Sequence, residues 1–139
     1  MSFEWKERYN LNIDEIDKQH KKLMEIGKKA YEIAIINDSY DRYDEIVTII
    51  DELLAYTKYH FEYEENMLKN YNYEHIHTQE EEHLFYVYKI NEVASRDDID
   101  HNQKQVILDI IDFLSVWISN HIMLSDGKYA MYLKERGII

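Results

Sequence analysis

Four segments of this chain repeat apolar side chains at three- and four-residue steps, and short polar stretches separate them. This period is that of an α-helix with one buried face. The chain has no proline and only 3 glycines, so little interrupts a long helix. We predict helices over residues of about 14–37, 41–70, 74–93 and 100–136. Four helices with short connections favour an all-α fold, an antiparallel up-down-up-down four-helix bundle.

The segment before the first helix also carries large apolar side chains. Phe3, Trp5, Tyr9 and Leu11 make residues 1–13 too apolar for a free tail. We therefore predict an N-terminal arm that packs across the bundle and removes these side chains from water. No linker, low-complexity tract or internal repeat divides the 139 residues. Because this is the length of one domain, we expect a single domain over residues 1–139.

The composition removes several classes of function. Without cysteine, disulfides, iron–sulfur clusters and thiolate zinc sites are excluded. A net charge of −12 repels phosphate backbones, so we expect no nucleic-acid partner. No apolar run approaches the roughly 18 residues of a membrane span, and the N-terminus has no signal-peptide core. We therefore expect a cytoplasmic protein with no membrane contact. Acidic runs such as residues 80–82 are typical of a solvated helix face.

Each predicted helix places one histidine on its apolar face, and two of the four add an acid. These residues are His20, His60 with Glu64, His83, and His121 with Asp126. His60 and Glu64 are four residues apart and share one helix face. A buried carboxylate is costly unless it is paired or metal-bound. Each residue alone is compatible with a hydrogen-bonded core side chain, but together they favour a metal site. Imidazole with carboxylate suits iron, and zinc or manganese less specifically.

His121 and Asp126 pose a geometric problem, because they are five residues apart. On an ideal helix that spacing separates them by about 140°, so the spacing alone does not pair them. They flank one site if the metals lie between helices and Asp126 reaches around. The alternative is that Gly127 relaxes the helix.

Taken together, these residues resemble the hemerythrins, and most closely the single-domain bacterial ones, the bacteriohemerythrins. The resemblance covers nearly the whole chain. It runs from Phe3-x-Trp5 and Ile13-x-x-Ile16-Asp17-x-Gln19-His20-x-x-Leu23, through His60-Phe61-x-x-Glu64-Glu65 and the region of His83, to His121-Ile122-x-x-x-Asp126. The motifs on the first, second and fourth helices are specific, whereas the match on the third is not.

The resemblance implies two irons in the bundle, bridged by Glu64, by Asp126 and by an oxo or hydroxo oxygen from solvent. It implies that O2, or another small diatomic or anionic ligand, binds at an open position on one iron. That iron would be held by His20 and His60. The ligands implied for the other iron are His83, His121 and a third histidine.

The family supplies that third histidine four residues before His83, and this chain has Gln79 there. Gln79 would ligate weakly through its amide oxygen or hydrogen-bond a bound water. Alternatively, His77 or His75 substitutes, if the third helix begins irregularly; His77 is two residues away, about 200° around an ideal helix. The remaining possibility is a disrupted site.

One apolar residue, Leu124, matches a lining residue of the family's O2 pocket, and Phe61, Trp117 and Leu23 are its expected companions. Ordinary core packing explains Trp117 and Leu23 equally well. An apolar shell around a metal pair controls solvent access and so favours binding over oxidation.

Three functions follow from this pattern. The leading hypothesis is a non-haem diiron protein, a monomer or weak oligomer, that binds O2 reversibly for storage, delivery or sensing. The alternative is an enzyme, a diiron oxidase, a peroxidase or a nitric-oxide-handling protein, which a second open position beside Gln79 would favour. The third is a metal-free helical interaction module, against which two inward carboxylates argue.

Overall fold

Long helices account for most of the chain in the computed structural model, which describes residues 3–36 and 38–139. The first three are α1 (Asp14–Ile35), α2 (Tyr43–Asn70) and α3 (Ile76–Ala94). They pack with a fourth helical rod as an antiparallel four-helix bundle, which confirms the predicted fold class. Asn37, where we predict the end of the first helix, lies outside the described residues, as do residues 1 and 2 of the predicted arm.

The fourth rod is not one regular α-helix. It consists of α4 (Gln103–Asn120), a π-helical segment (His121–Asp126) and α5 (Gly127–Glu135), without a break between them. A π-helix joins residue i to residue i+5, and such segments occur mostly as single turns within α-helices, frequently at functional sites. The predicted fourth helix therefore has the expected extent but carries one widened turn.

The sequence explains why α1 forms as it does. Its first turn contains Asp14, Glu15 and Asp17, whose negative charges interact favourably with the positive end of the helix dipole. The buried side follows three- and four-residue steps along Ile16, His20, Leu23, Gly27 and Ala30. Burial of each large apolar side chain contributes about 1.5–3 kcal/mol.

Two apolar clusters of different size fill the bundle. The large one includes Leu23 and Leu53, and the small one includes Ile16, Leu68 and Tyr129. On α1 and α2, the residues between these clusters are buried and polar: His20 on α1, and His60 and Glu64 on α2. The bundle thus encloses a polar layer between two hydrophobic ones.

The N-terminal arm spans both clusters. Phe3 and Tyr9 belong to the large cluster and Leu11 to the small one. The Leu11 N–H donates a hydrogen bond to Asp17 Oδ1 at 2.9 Å, which fixes the arm to the first turn of α1. A Cβ at Gly27 would lie 2.7 Å from the Phe3 ring. The ring packs against α1 at this point because glycine has no side chain.

The rod Gln103–Glu135 is long and apolar enough to cross a membrane by length and composition alone, with an 18-residue window of mean hydropathy 1.5. This window corrects our expectation that no apolar run approaches that length. The reason is its place in the bundle, where Val106, Ile110 and Leu114 are fully buried in the large cluster. The core helix of a bundle can be as apolar as a membrane span, so this composition alone is weak evidence for one.

Candidate metal centre

Two groups of potential ligands meet in the polar layer. His20 from α1 and His60 and Glu64 from α2 have ligand atoms within 4.8 Å of one another. Glu64 forms a second such group with His83 from α3 and His121 from the π segment. All five side chains are buried. Glu64 belongs to both groups, which we call the His20 group and the His83 group.

The two carboxylate oxygens of Glu64 face different groups. Oε1 lies 2.9 Å from His83 Nε2 and 3.7 Å from His121 Nε2. Oε2 lies 3.6 Å from His60 Nε2 and 3.7 Å from His20 Nε2. A carboxylate in this position can contribute one oxygen to each of two metal ions.

Asp126 repeats this arrangement from the fourth rod. Its Oδ2 lies 3.1 Å from His20 Nε2, and its Oδ1 lies 3.0 Å from His121 Nε2. The π segment makes this possible, because its i to i+5 register closes one turn between two residues five apart. Gly127 keeps ordinary helical angles, with φ −58° and ψ −37°. The widened turn, and not a relaxed glycine, therefore brings both side chains inward.

Gln79 also lies in the polar layer and is 1% exposed. Its Nε2 donates a hydrogen bond to Asp126 Oδ1 at 3.0 Å, on the side of the His83 group. Its Oε1 is buried without a hydrogen-bond partner among the described residues. The side chains of His75 and His77 are 58% and 89% exposed. Neither histidine replaces Gln79 in this arrangement.

The side chains of the polar layer fit a metal. Buried atoms of the layer that make no hydrogen bond of acceptable geometry within the described part of the chain include His20 Nε2, His121 Nε2, Asp126 Oδ2 and Gln79 Oε1. Two ligand atoms bound at about 2.1 Å and at right angles would lie roughly 3 Å apart. The contacts of His20, His83 and His121 with the carboxylates, at 2.9–3.1 Å, have this spacing. The nitrogen and oxygen donors suit iron.

Burial and charge shift the pKa values of these groups in opposite directions. Burial disfavours charged His20, but the carboxylates of Asp126 and Glu64 outweigh it and raise the pKa of His20 to about 9. Burial lowers the pKa of His60 to about 4, although Glu64 opposes the shift. Burial would raise the pKa of Glu64, but the surrounding histidines hold it well below its ordinary value. Without metal and near neutral pH, ionised carboxylates therefore face a protonated His20 and a neutral His60.

Three of the four histidines are held from outside the layer. Gln19 Oε1 lies 2.6 Å from His60 Nδ1, Glu65 Oε2 lies 2.8 Å from His83 Nδ1, and Glu82 Oε1 lies 3.1 Å from His121 Nδ1. An acceptor at Nδ1 fixes the ring's tautomer and leaves Nε2 free to bind a metal.

Four residues around the layer had no predicted part in a metal site: Gln19, Glu65, Glu82 and Tyr129. The Tyr129 hydroxyl donates to Glu64 Oε2 at 2.8 Å. Helical spacing contains a signal for two of these residues, since residues three apart lie on one side of a helix. Glu82 follows Gln79 by three residues and Tyr129 follows Asp126 by three. Glu82 therefore differs from its neighbours in the acidic run, which we read as solvated.

Aromatic rings cover the His83 group. Phe61 stacks on His83 with ring centroids 3.9 Å apart, and Trp117 stacks on His121 at 4.3 Å. Both rings are buried, as is Leu23, which follows His20 by one turn of α1. Phe61 and Trp117 therefore form part of an apolar shell around the layer, and Leu23 is buried in the large cluster.

Leu124 does not belong to that shell. Its side chain is 64% exposed, which does not agree with our expectation that it lines an apolar pocket together with Phe61, Trp117 and Leu23. The reason is again the π segment, because the widened turn that brings His121 and Asp126 inward leaves Leu124 on the outer side.

The fold and the site together define a helical-bundle protein whose histidine and carboxylate side chains are arranged as a metal site. Residues 11–133 match the family model described as "Hemerythrin HHE cation binding domain". The chain therefore belongs to the hemerythrin family, as its motifs predict. This membership implies binding of non-haem iron.

Curated relatives support the assignment over most of their length. A bacteriohemerythrin of Clostridium acetobutylicum is 39% identical over 128 residues, which are 91% of this chain and 98% of the relative. A bacteriohemerythrin of Pseudomonas paraeruginosa is 27% identical over 131 residues, 90% of this chain and 77% of that protein. One of Campylobacter jejuni is 26% identical over 129 residues, 91% and 92% of the two chains.

Proposed function

We propose that this chain binds two iron ions in the polar layer and uses the pair to bind O2 reversibly. The observation that carries the proposal is the position of Glu64, whose two oxygens face different ligand groups. Asp126 spans the same two groups from the fourth rod. Each of two neighbouring metal ions could take one oxygen from Glu64 and one from Asp126, whereas a single ion on one side would use only one oxygen of each carboxylate.

The two ions would have different surroundings. The His20 group supplies two histidines and would keep an open position for O2. The His83 group supplies two histidines and Gln79, whose free amide oxygen we assign as a weak third ligand. The amide nitrogen already donates to Asp126, so the oxygen is the atom left for the metal.

Bound iron would supply the exchangeable electrons and the open coordination position that O2 binding needs. The protein's own residues would orient the site and exclude water. Tyr129 holds Glu64 through its hydroxyl, and Gln19 holds the ring of His60. Leu23, Phe61 and Trp117 keep the surroundings apolar. Restricted solvent access favours reversible binding over irreversible oxidation.

The test is optical. The iron-loaded protein is reduced without air, exposed to O2 and then returned to an oxygen-free atmosphere, while its visible spectrum is recorded. Reversible O2 binding predicts a charge-transfer band that appears with O2 and disappears when O2 is removed. Irreversible conversion to a ferric spectrum in the first exposure would contradict the proposal.

The weak donor at Gln79 supports a second candidate function. If the amide oxygen leaves its position, the second iron also gains an exchangeable site, as a diiron oxidase, a peroxidase or a nitric-oxide-handling enzyme would use. Steady consumption of O2 or peroxide with a reductant would favour this candidate, and slow consumption with a stable oxygenated spectrum would favour O2 binding. We further propose that residues 1–139 form one domain that is a monomer or weak oligomer.

A further inference from the structure

We infer that Glu65 and Glu82 are positioning residues for the second metal, and that they compensate for the imidazole that Gln79 does not supply. The inference rests on the proposed two-metal function. It concerns residues outside the ligand set, and it explains how one group tolerates a weak ligand.

The contacts that hold the histidines differ between the two groups. In the His83 group, both Nδ1 atoms face carboxylates, Glu65 at 2.8 Å and Glu82 at 3.1 Å. In the His20 group, His60 Nδ1 faces the neutral amide of Gln19 at 2.6 Å. His20 Nδ1 has no hydrogen-bond partner within residues 3–36 and 38–139. In the His20 group the carboxylate of Glu15 lies one residue further out, where it accepts a hydrogen bond from Gln19 Nε2 at 3.0 Å. Among the described residues, direct contact between Nδ1 and a carboxylate therefore occurs only in the group that contains Gln79.

Both carboxylates are placed to act through the histidines. Glu82 also accepts hydrogen bonds from the Ser125 hydroxyl at 2.7 and 2.6 Å, which fix its orientation. Glu65 is the residue next to Glu64 on α2 and is 23% exposed. A carboxylate that accepts a hydrogen bond from Nδ1–H raises the basicity of the imidazole and strengthens its bond to a metal through Nε2. Two strengthened imidazoles offset one weak amide donor.

The experiment compares two double variants. Glu65→Gln with Glu82→Gln removes both charges but keeps the length and polarity of the side chains. The matched control is Glu62→Gln with Glu81→Gln, which removes the same charge from exposed positions on the same helices. Anaerobic calorimetric titration with Co²⁺, followed in parallel by its visible bands, gives stoichiometry and affinity for both sites. Thermal unfolding without metal shows whether a variant is folded.

Removing a contact of this kind costs about 10–100-fold in metal affinity. Because the first double variant changes two such contacts at one site, we expect that site to lose at least this factor and the other site to keep its affinity. The control pair keeps both affinities. Adding Gln79→His to the first variant restores the weakened site, which identifies it as the one in the His83 group.

Equal affinities in the two double variants, equal weakening of both sites, or failure of Gln79→His to restore binding would each overturn the inference. Failure of the proposed function would appear earlier and separately, as fewer than two bound metals in the unchanged chain.

Discussion

Substitution of Tyr129 by Phe removes one hydrogen bond from the centre of the molecule. The Tyr129 hydroxyl donates to Glu64 Oε2 at 2.8 Å, and both residues are fully buried. The pKa of Glu64 is held well below its ordinary value, because the charges of the surrounding histidines outweigh its burial. The acceptor is therefore an ionised carboxylate. A hydrogen bond to a charged group contributes about 1.5–3 kcal/mol, and Phe keeps the ring that packs in the small cluster.

We expect Tyr129→Phe to lower the free energy of unfolding by about 2 kcal/mol. At this chain length that is a fall in Tm of roughly 6–10 °C. Tyr86→Phe is the matched control. Tyr86 is equally buried, and its hydroxyl makes no hydrogen bond of acceptable geometry to the described residues, although Thr57 lies near it. Because a buried hydroxyl without a partner costs free energy, its removal leaves stability unchanged or increases it.

Urea unfolding followed by circular dichroism, with chelator present, measures both variants against the unchanged chain. A similar loss of stability in the two variants would show that ring packing, and not the hydrogen bond to Glu64, causes the loss. No loss in Tyr129→Phe would refute it as well.

Three further outcomes follow from the structure. The metal-free protein is most stable near pH 6.5. The stability that protonated His20 contributes is lost as pH rises from there through its raised pKa of about 9, and the stability that neutral His60 contributes is lost as pH falls through its lowered pKa of about 4. A flat profile of Tm between these limits would contradict this. Gly27→Ala costs roughly 1 kcal/mol, since the new Cβ displaces the ring of the arm and lost apolar burial outweighs the gain in helix propensity. Gly127→Ala is the control: its Cβ would meet nothing closer than 3.8 Å, so the free energy of unfolding rises by up to about 1 kcal/mol. If Gly27→Ala were stabilising as well, Phe3 of the arm would not pack against Gly27. Leu124→Ala changes the free energy of unfolding by less than about 0.5 kcal/mol, because the side chain is exposed. A loss of several kcal/mol would show that the side chain is buried in the core.

The fold was predictable because helical period is a local property of the sequence. A stripe such as Ile16, His20 and Leu23 has one buried face in any bundle, and short connections leave antiparallel packing as the simplest arrangement. His60 and Glu64 were predictable for the same reason, since four residues make about one turn.

The π segment was not predictable by this reasoning. A change of hydrogen-bond register from i+4 to i+5 between His121 and Asp126 is decided by the contacts of both side chains with other helices, which no local pattern contains. The expectation for Leu124 came from its match to a lining residue of the family's pocket, and the side chain is 64% exposed. The proposed roles of Glu65 and Glu82 depend likewise on the distance between helices. The sequence therefore indicated only a solvated face for Glu82 and a motif position, without a role, for Glu65.

The proposed site contains two iron ions that share Glu64 and Asp126. The most direct measurement is iron per chain, combined with electron paramagnetic resonance of the oxidised protein. We expect two irons per chain and little or no signal, because two ferric ions joined through shared bridging ligands couple antiferromagnetically. One iron per chain with the full signal of an isolated ferric ion would contradict it.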